Sequence, residues 1–505
     1  MPRRLWGIRR LLKMPLAEAG DQYSIWIGLI YVFNLIVGTG ALTLPAAFAK
    51  AGWVLSTISL VFLAFMSFLN ATYVIETMAC SNAVYKWKRL QAIKRESIQN
   101  HDSDEEQHVC QHGDLEEPLV CGDTVPSRYY SLDRRVELGE MANLFYNRTG
   151  RILFYCTLCI YLYGDLSIYS AAVAKSIMDV ICSPVPSNIT DSNEWDELAC
   201  FNTSTSSLHA YTRLEVYRIA LLTFVGLMGP FVFFNVQKTK YLQLFTTGMR
   251  WLAFAIMISM AIRLLAGSGA QGHPAAVHLS GLPTLFGACV YSFMCHHSLP
   301  GLISPIRGKT HLPLYIALDY SLITLFYLLL AFSGAFAFAH LNDLYTLNFV
   351  PKDNENLLLE IVEYFLALFP VFTLSTSFPI IAITLRNNLQ SLFLDMSQLE
   401  SYNFVLRKLL FPIVTVVPPL LLTYYLEDIG VLIEFTGSFA GTGIQYLIPT
   451  FLVMSARRHC NNLLGLGVVN KYKSLFSHTA WAIFVLLWAF VCTTLVIVNM
   501  VEKKS

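Results

Sequence analysis

About eleven apolar stretches, each near or above the ~20 residues that let a helix cross a bilayer, recur along this chain. They fall at 24–48, 53–77, 152–178, 216–234, 243–266, 281–304, 314–338, 357–385, 409–426, 429–454 and 479–500. Inside hydrocarbon every backbone polar group needs a partner within the protein, so a chain of this kind folds as a helical bundle. Composition agrees. Of 505 residues, 55% are hydrophobic and only 14% charged, where a soluble protein is about a quarter charged. The expected class is an all-α polytopic membrane protein. One domain covers 24–500, after a basic segment at 1–23 and before a short tail at 501–505. A net charge of +1, with no basic tract beside stacking aromatics, gives no footing for nucleic acid. The opening MPRRLWGIRRLLK lacks an apolar run with a small-residue cleavage site and reads as a surface anchor on the bilayer.

Lysine and arginine set the expected orientation. With the N-terminus in the cytosol, one side collects Arg3, Arg4, the 86–95 cluster, Arg134, Arg135, Lys238, Lys240, Arg307, Lys309, Arg386, Arg457 and Arg458. The other side keeps a scatter such as Lys50, Arg213 and Lys352. That is the positive-inside pattern. The loop at 182–212 then lies outside or in a lumen. It carries Cys182, Cys200 and two glycosylation sequons at Asn188 and Asn202; that compartment permits a Cys182–Cys200 disulfide. The other nine cysteines show no spacing suited to zinc. The polar 80–136 segment, with its acidic run DSDEEQ, reads as a disordered cytosolic loop. Tyr129-Tyr-Ser-Leu132 and Tyr472-Lys-Ser-Leu475 fit the form of an endosomal sorting signal, though four-residue strings arise often by chance. The membrane is therefore left open between endolysosomal and plasma.

The first apolar stretch has weak points. It reads FNLIVGTGALTLP, with Gly38, Gly40 and Pro45 near its middle. Glycine frees the backbone and proline cannot donate to the turn above it. An unwound segment in a membrane is tolerated where protein covers it or where it lines a polar cavity. There its N–H groups can hold a carboxylate and its carbonyls a cation, the geometry of a transporter site at the midplane. Close packing through small residues explains the glycines equally well. If the first five helices recur in inverted topology, however, the sixth should break too. It reads FGACVYSFMCHHSLPGLISP, interrupted by Gly287, Pro300, Gly301 and Pro305 and made polar by Cys295, His296 and His297. The eighth, at PVFTLSTSFP, offers the hydroxyls of Thr373, Ser375, Thr376 and Ser377. They either bond back to their own helix or join freed carbonyls of the first helix around a sodium ion.

These three stretches carry a resemblance. NLIVGTGALTLP resembles the first-helix signature of the amino acid/auxin permease superfamily, in particular its sodium-coupled neutral amino acid transporters. SFMCHHSLP is similar to their sixth-helix motif and SFPIIAITLRNN to the end of their eighth helix. The chain as a whole is identified as a member of the transmembrane protein 104 family, a divergent branch. The resemblance implies a LeuT-like 5+5 inverted repeat with one extra helix. It implies that Gly38, Thr39 and Gly40 present N–H groups to a substrate carboxylate. Tyr291, Ser292 and Phe293 would line the opposite wall. Asn34, the Val37 carbonyl and Ser375, Thr376 or Ser377 would serve a sodium ion. No other cofactor and no catalytic residue is implied.

Two charges interrupt the spans, Asp165 in YLYGDLSIYS and Arg250 about two turns into the fifth helix. Intramembrane charges are functional suspects by default. The two either pair with each other or with polar backbone to hold the bundle, or Asp165 carries a proton or cation. If Arg250 reaches the first and eighth helices, its fixed charge takes the place of sodium and favours protons or exchange. The leading expectation is a monomeric secondary transporter of a small amphoteric solute such as a neutral amino acid, coupled to Na+ or H+. A non-transporting sensor that signals to a cytosolic partner through the 80–136 loop is the alternative. No array suited to an enzyme is present in the spans.

Overall fold

The computed structural model describes residues 22–102, 129–183, 198–201, 211–233, 240–350, 357–394, 409–465 and 468–502. Asn188, Asn202 and the DSDEEQ run from 103 on lie outside them. The described residues form helices and their connections, with two isolated β-bridges. In chain order the helices are α1 (Ile25–Ile36), α2 (Thr39–Ala51), α3 (Trp53–Asp102), α4 (Leu138–Phe145), α5 (Arg148–Ile181) and α6 (Arg213–Met228). Next come α7 (Lys240–Ser268), α8 (Leu282–Ser292), α9 (Leu299–Ile303), α10 (Leu312–Ala337), α11 (Leu357–Phe393) and α12 (Phe411–Tyr425). The last three are α13 (Ile429–Phe435), α14 (Ile448–Leu464) and α15 (Thr479–Glu502). Two π-helical segments, Thr436–Gly441 and Gly443–Leu447, connect α13 to α14.

Among the described residues, eight helices are long and apolar enough to span a membrane. The three remaining expected spans are not continuous helices of that length. The first is the pair α1 and α2, bent by 55°. The sixth is the pair α8 and α9, separated by 293–298. The ninth is α12, with 15 residues and two internal prolines, Pro418 and Pro419. Both breaks lie where the glycines and prolines weaken the helix.

The 80–136 segment departs from the expected loop. Helix α3 runs without interruption to Asp102. From Leu69 to Val84 every residue is buried, so no exposed face marks a helical period. Glu76 is inside the bundle at 2% exposure. It holds Arg457 of α14 through two bonds of 2.8 and 2.7 Å and also accepts the Ser474 N–H at 2.9 Å. Leu132, of the first sorting-like string, is fully buried, and its carbonyl accepts Lys309 Nζ at 2.8 Å. That string is therefore packed into the fold. At the far end of α5 a disulfide joins Cys182 to Cys200. Arg213 and Asp179 form an ion pair beside it.

Helix α5 packs along α11 and α6, α3 along α14, and α10 across α2, α3 and α7. The two broken pairs lie inside this frame. All of α2 from Thr39 to Phe48 and all of α8 from Leu285 to Ser292 are buried.

Candidate functional site

The two breaks meet. A Cβ placed on Gly40 would lie 2.5 Å from Ser292 Cα and 2.9 Å from Ser292 N. Only a glycine allows this approach of backbone to backbone. Gly38, two residues earlier, has nothing within 4 Å of the same position. One glycine of the pair is thus a packing device and the other faces open space.

Helix α2 starts at Thr39, so its first N–H groups have no partner within their own helix and carry the positive end of its dipole. Ala41 N–H turns back to the Gly38 carbonyl at 3.2 Å. Gly38 N–H, expected to face a substrate, is already bonded to the Ile36 carbonyl at 2.9 Å. Of the three expected donors, those of Thr39 and Gly40 remain to hold a carboxylate. Just before the break, both polar atoms of the Asn34 side chain are buried without a partner. Buried amides are normally satisfied, so Asn34 is a polar group with hydrogen-bonding capacity left beside the break.

On the opposite wall Tyr291 Oη donates to Asp165 Oδ1 at 2.6 Å. Asp165 is 7% exposed. It reaches this place because Gly164, its neighbour on α5, lets Thr436 of the π-helical segment press against the helix backbone. Tyr161 and Tyr169 stand close enough to Asp165 to interact electrostatically. Asp165 therefore sits in a ring of phenols.

Arg250 does not pair with Asp165. Its Nη1 donates to the Asn34 carbonyl at 2.6 Å and to the Val37 carbonyl at 3.0 Å. The guanidinium thus holds the carbonyls expected to coordinate sodium. The hydroxyls expected to complete that site are turned inward. Ser375 donates to the Val371 carbonyl at 2.5 Å, and Thr376 and Ser377 to that of Thr373 at 2.8 and 3.2 Å. This is the back-bonding usual for Ser and Thr in a helix.

The main-chain oxygens of the second break also have partners. Tyr327 Oη, from α10, lies 3.0 Å from the Ile36 carbonyl and 2.9 Å from that of Ser292. It has one proton to give, so the two breaks share it. Ser67 Oγ donates to the Phe293 carbonyl at 3.2 Å. Asp165 is therefore the strong anionic group left on this wall for an ammonium.

Sequence reasoning missed Tyr327, Ser67 and Asp319. Tyrosines and serines inside apolar helices look like ordinary filling. Asp319 did leave a signal, as a lone acid in LYIALDYSLITLF.

An unpartnered amide, the start of a helix and a buried carboxylate, all set beside two helix breaks, are the groups a small zwitterion needs. The family described as "Transmembrane amino acid transporter protein" matches residues 21–89 and 120–498. The chain belongs to that family. It is 52% identical to the transmembrane protein 104 homolog of Drosophila melanogaster, covering 96% of this chain and 98% of that one. It is 46% identical to human transmembrane protein 104, over 97% and 99% of the two chains. Against the homolog of Dictyostelium discoideum the identity is 32%, over 94% and 97%. The chain is thus similar to the transmembrane protein 104 proteins over nearly their whole length.

Proposed function

We propose that the protein is a secondary active transporter of a small zwitterion, most simply a neutral amino acid, working by alternating access. One observation supports the reading: a helix start and a buried carboxylate, groups of opposite polarity, both stand at the meeting of two broken helices. The α2 N-terminus with Thr39 and Gly40 would take the carboxylate. Asp165, held by Tyr291, would take the ammonium or exchange it for a proton. The bundle would be a 5+5 inverted repeat with an additional last helix, the breaks at corresponding places in the two halves.

The coupled ion in this reading is the proton and not sodium. Arg250 places a permanent positive charge against the Asn34 and Val37 carbonyls, and a second cation there would meet strong repulsion. The lysine and arginine asymmetry orients the N-terminus to the cytosol. The Cys182–Cys200 loop, glycosylated at Asn188 and Asn202, would then face a lumen or the outside. An endolysosomal or plasma membrane suits this arrangement, and a monomer suffices for it.

The test is uptake of a radiolabelled amino acid panel into proteoliposomes, for the native protein and Gly38→Val, with and without sodium and a pH gradient. A Cβ added at this position meets nothing within 4 Å. We expect proton-driven, sodium-independent uptake that Gly38→Val abolishes while leaving thermal stability unchanged. Sodium-driven uptake would overturn the assignment of the ion. Stabilisation by an amino acid without any flux would favour a sensor.

A further inference from the structure

A second buried carboxylate lies outside the site just described. Helix α10 turns one stripe to the core: Leu312, Ile316, Asp319, Tyr320, Ile323, Tyr327 and Leu330. Asp319 belongs to that stripe and is 5% exposed. It sits about 10 Å into the helix from its start and about 12 Å before Tyr327, at the ~1.5 Å rise per residue. Its Oδ2 is buried without a hydrogen-bond partner.

The groups around it are exchangeable. Tyr320 Oη is 3.1 Å from Cys295 Sγ, in the second break, and 3.1 Å from Ser67 Oγ. His296 Nε2 is 3.1 Å from the Ser67 carbonyl. The Nδ1 atoms of His296 and His297 are buried without partners. The His297 ring lies 5.7 Å from that of Tyr161, itself within electrostatic reach of Asp165. Polar, proton-bearing side chains therefore lie across the second break, between the helices that carry Asp165 and Asp319.

The charges on the neighbouring helices are placed elsewhere. The titratable groups within electrostatic reach of Asp319 are Cys295, in the break, and Tyr320, on its own helix. Helix α1 carries no charged residue, and Lys50 of α2 is bonded to Asp343 at the opposite end. On α3, Glu76 is taken by Arg457. On α7, Arg250 is held at the first break. No described cation neutralises Asp319. A lone anion buried in this way is costly, and a carboxyl that has taken a proton is not.

We propose that Asp319 is a second proton-binding site of the transporter, loading and releasing the coupled proton on the side of the second break from which α10 starts. The Asp319 carboxylate takes one proton to become the carboxylic acid and gives the same proton back; no other bond changes. The inference rests on the transport reading above.

The experiment uses the full chain in proteoliposomes, with Asp319→Asn and Asp319→Glu. Two fluxes are measured for whichever amino acid the native protein carries. One is accumulation driven by a pH gradient, the other exchange at equal pH. Asp319→Asn should lose accumulation and keep exchange; Asp319→Glu should restore accumulation with a displaced pH profile. Asp319→Asn that accumulates like the native protein overturns the proposal. So does joint loss of both fluxes with lowered thermal stability, which marks a structural residue. If the native protein carries none of the amino acids, the transport reading fails first. Infrared difference spectra through a pH titration then decide on Asp319 alone. A carboxyl band that titrates in the native protein and vanishes in Asp319→Asn supports the proton site, and identical spectra overturn it.

Discussion

The two helix breaks answer the same sequence signal in opposite ways. At the first, Gly38 faces open space and the Asn34 amide has no partner. At the second, the Ser292 and Phe293 carbonyls are bonded by Tyr327 and Ser67, and Cys295 Sγ lies 3.1 Å from Tyr320 Oη. An interrupted membrane helix must have its freed groups satisfied by something. Both breaks have bonded carbonyls and both keep unpartnered side-chain atoms, Asn34 at the first and the Nδ1 atoms of His296 and His297 at the second; only the first has open space beside its glycine, at Gly38. In the proposed reading the first break is the half that binds, and the second the half that is built around it.

Arg250 is the sharpest way to break that contrast, because it is the protein's own contribution to the first break. Replacing it in Arg250→Gln removes two charge-assisted bonds to buried carbonyls, each worth about 1.5–3 kcal/mol. We expect a loss of about 3–5 kcal/mol in stability, read by thermal or denaturant unfolding in detergent. Sodium should recover part of it, since the two carbonyls and the Asn34 side chain then face an empty cation position. An unchanged midpoint, with or without sodium, would show that the guanidinium does not hold the break.

Gly40→Ala is next in size and tests whether the contact between the breaks is tight. The added methyl meets backbone at 2.5 and 2.9 Å. Overpacking of this kind costs about 1–3 kcal/mol. Adding Ser292→Gly removes the hydroxyl but not the Cα, so the double variant should not recover. Full recovery would mean that the obstruction was the Ser292 side chain and that the breaks can separate.

What could be read in the sequence follows the same division. The spans, both breaks and the Cys182–Cys200 pair were legible, because each rests on residue types with one strong physical consequence. The length of α3 was not. Polar residues such as Ser81 and Asn82 are buried there by several neighbours at once, so no amphipathic period survives to mark the helix. The sequence left the sodium site open for a related reason. Hydroxyl-rich PVFTLSTSFP supplies the right atoms, but Ser375, Thr376 and Ser377 spend their protons on their own helix. Whether Arg250 reached the carbonyls of Asn34 and Val37 depended on packing between α7 and α1, which no local pattern encodes.

The smallest effect is expected at Tyr327, where the two breaks are joined. Tyr327→Phe keeps the ring and its edge contact with Phe293 at 5.2 Å. It removes one hydroxyl that stands within 3.0 Å of two carbonyls. Because a single proton serves both, only one bond is lost at a time, and the cost should be about 1 kcal/mol. Transport should shift in rate more than in substrate affinity, since the hydroxyl ties the halves together without facing the open space at Gly38. A variant that instead binds its amino acid about tenfold more weakly, a change of ~1.4 kcal/mol, would move Tyr327 into the substrate site. The second break would then belong to the binding half as well.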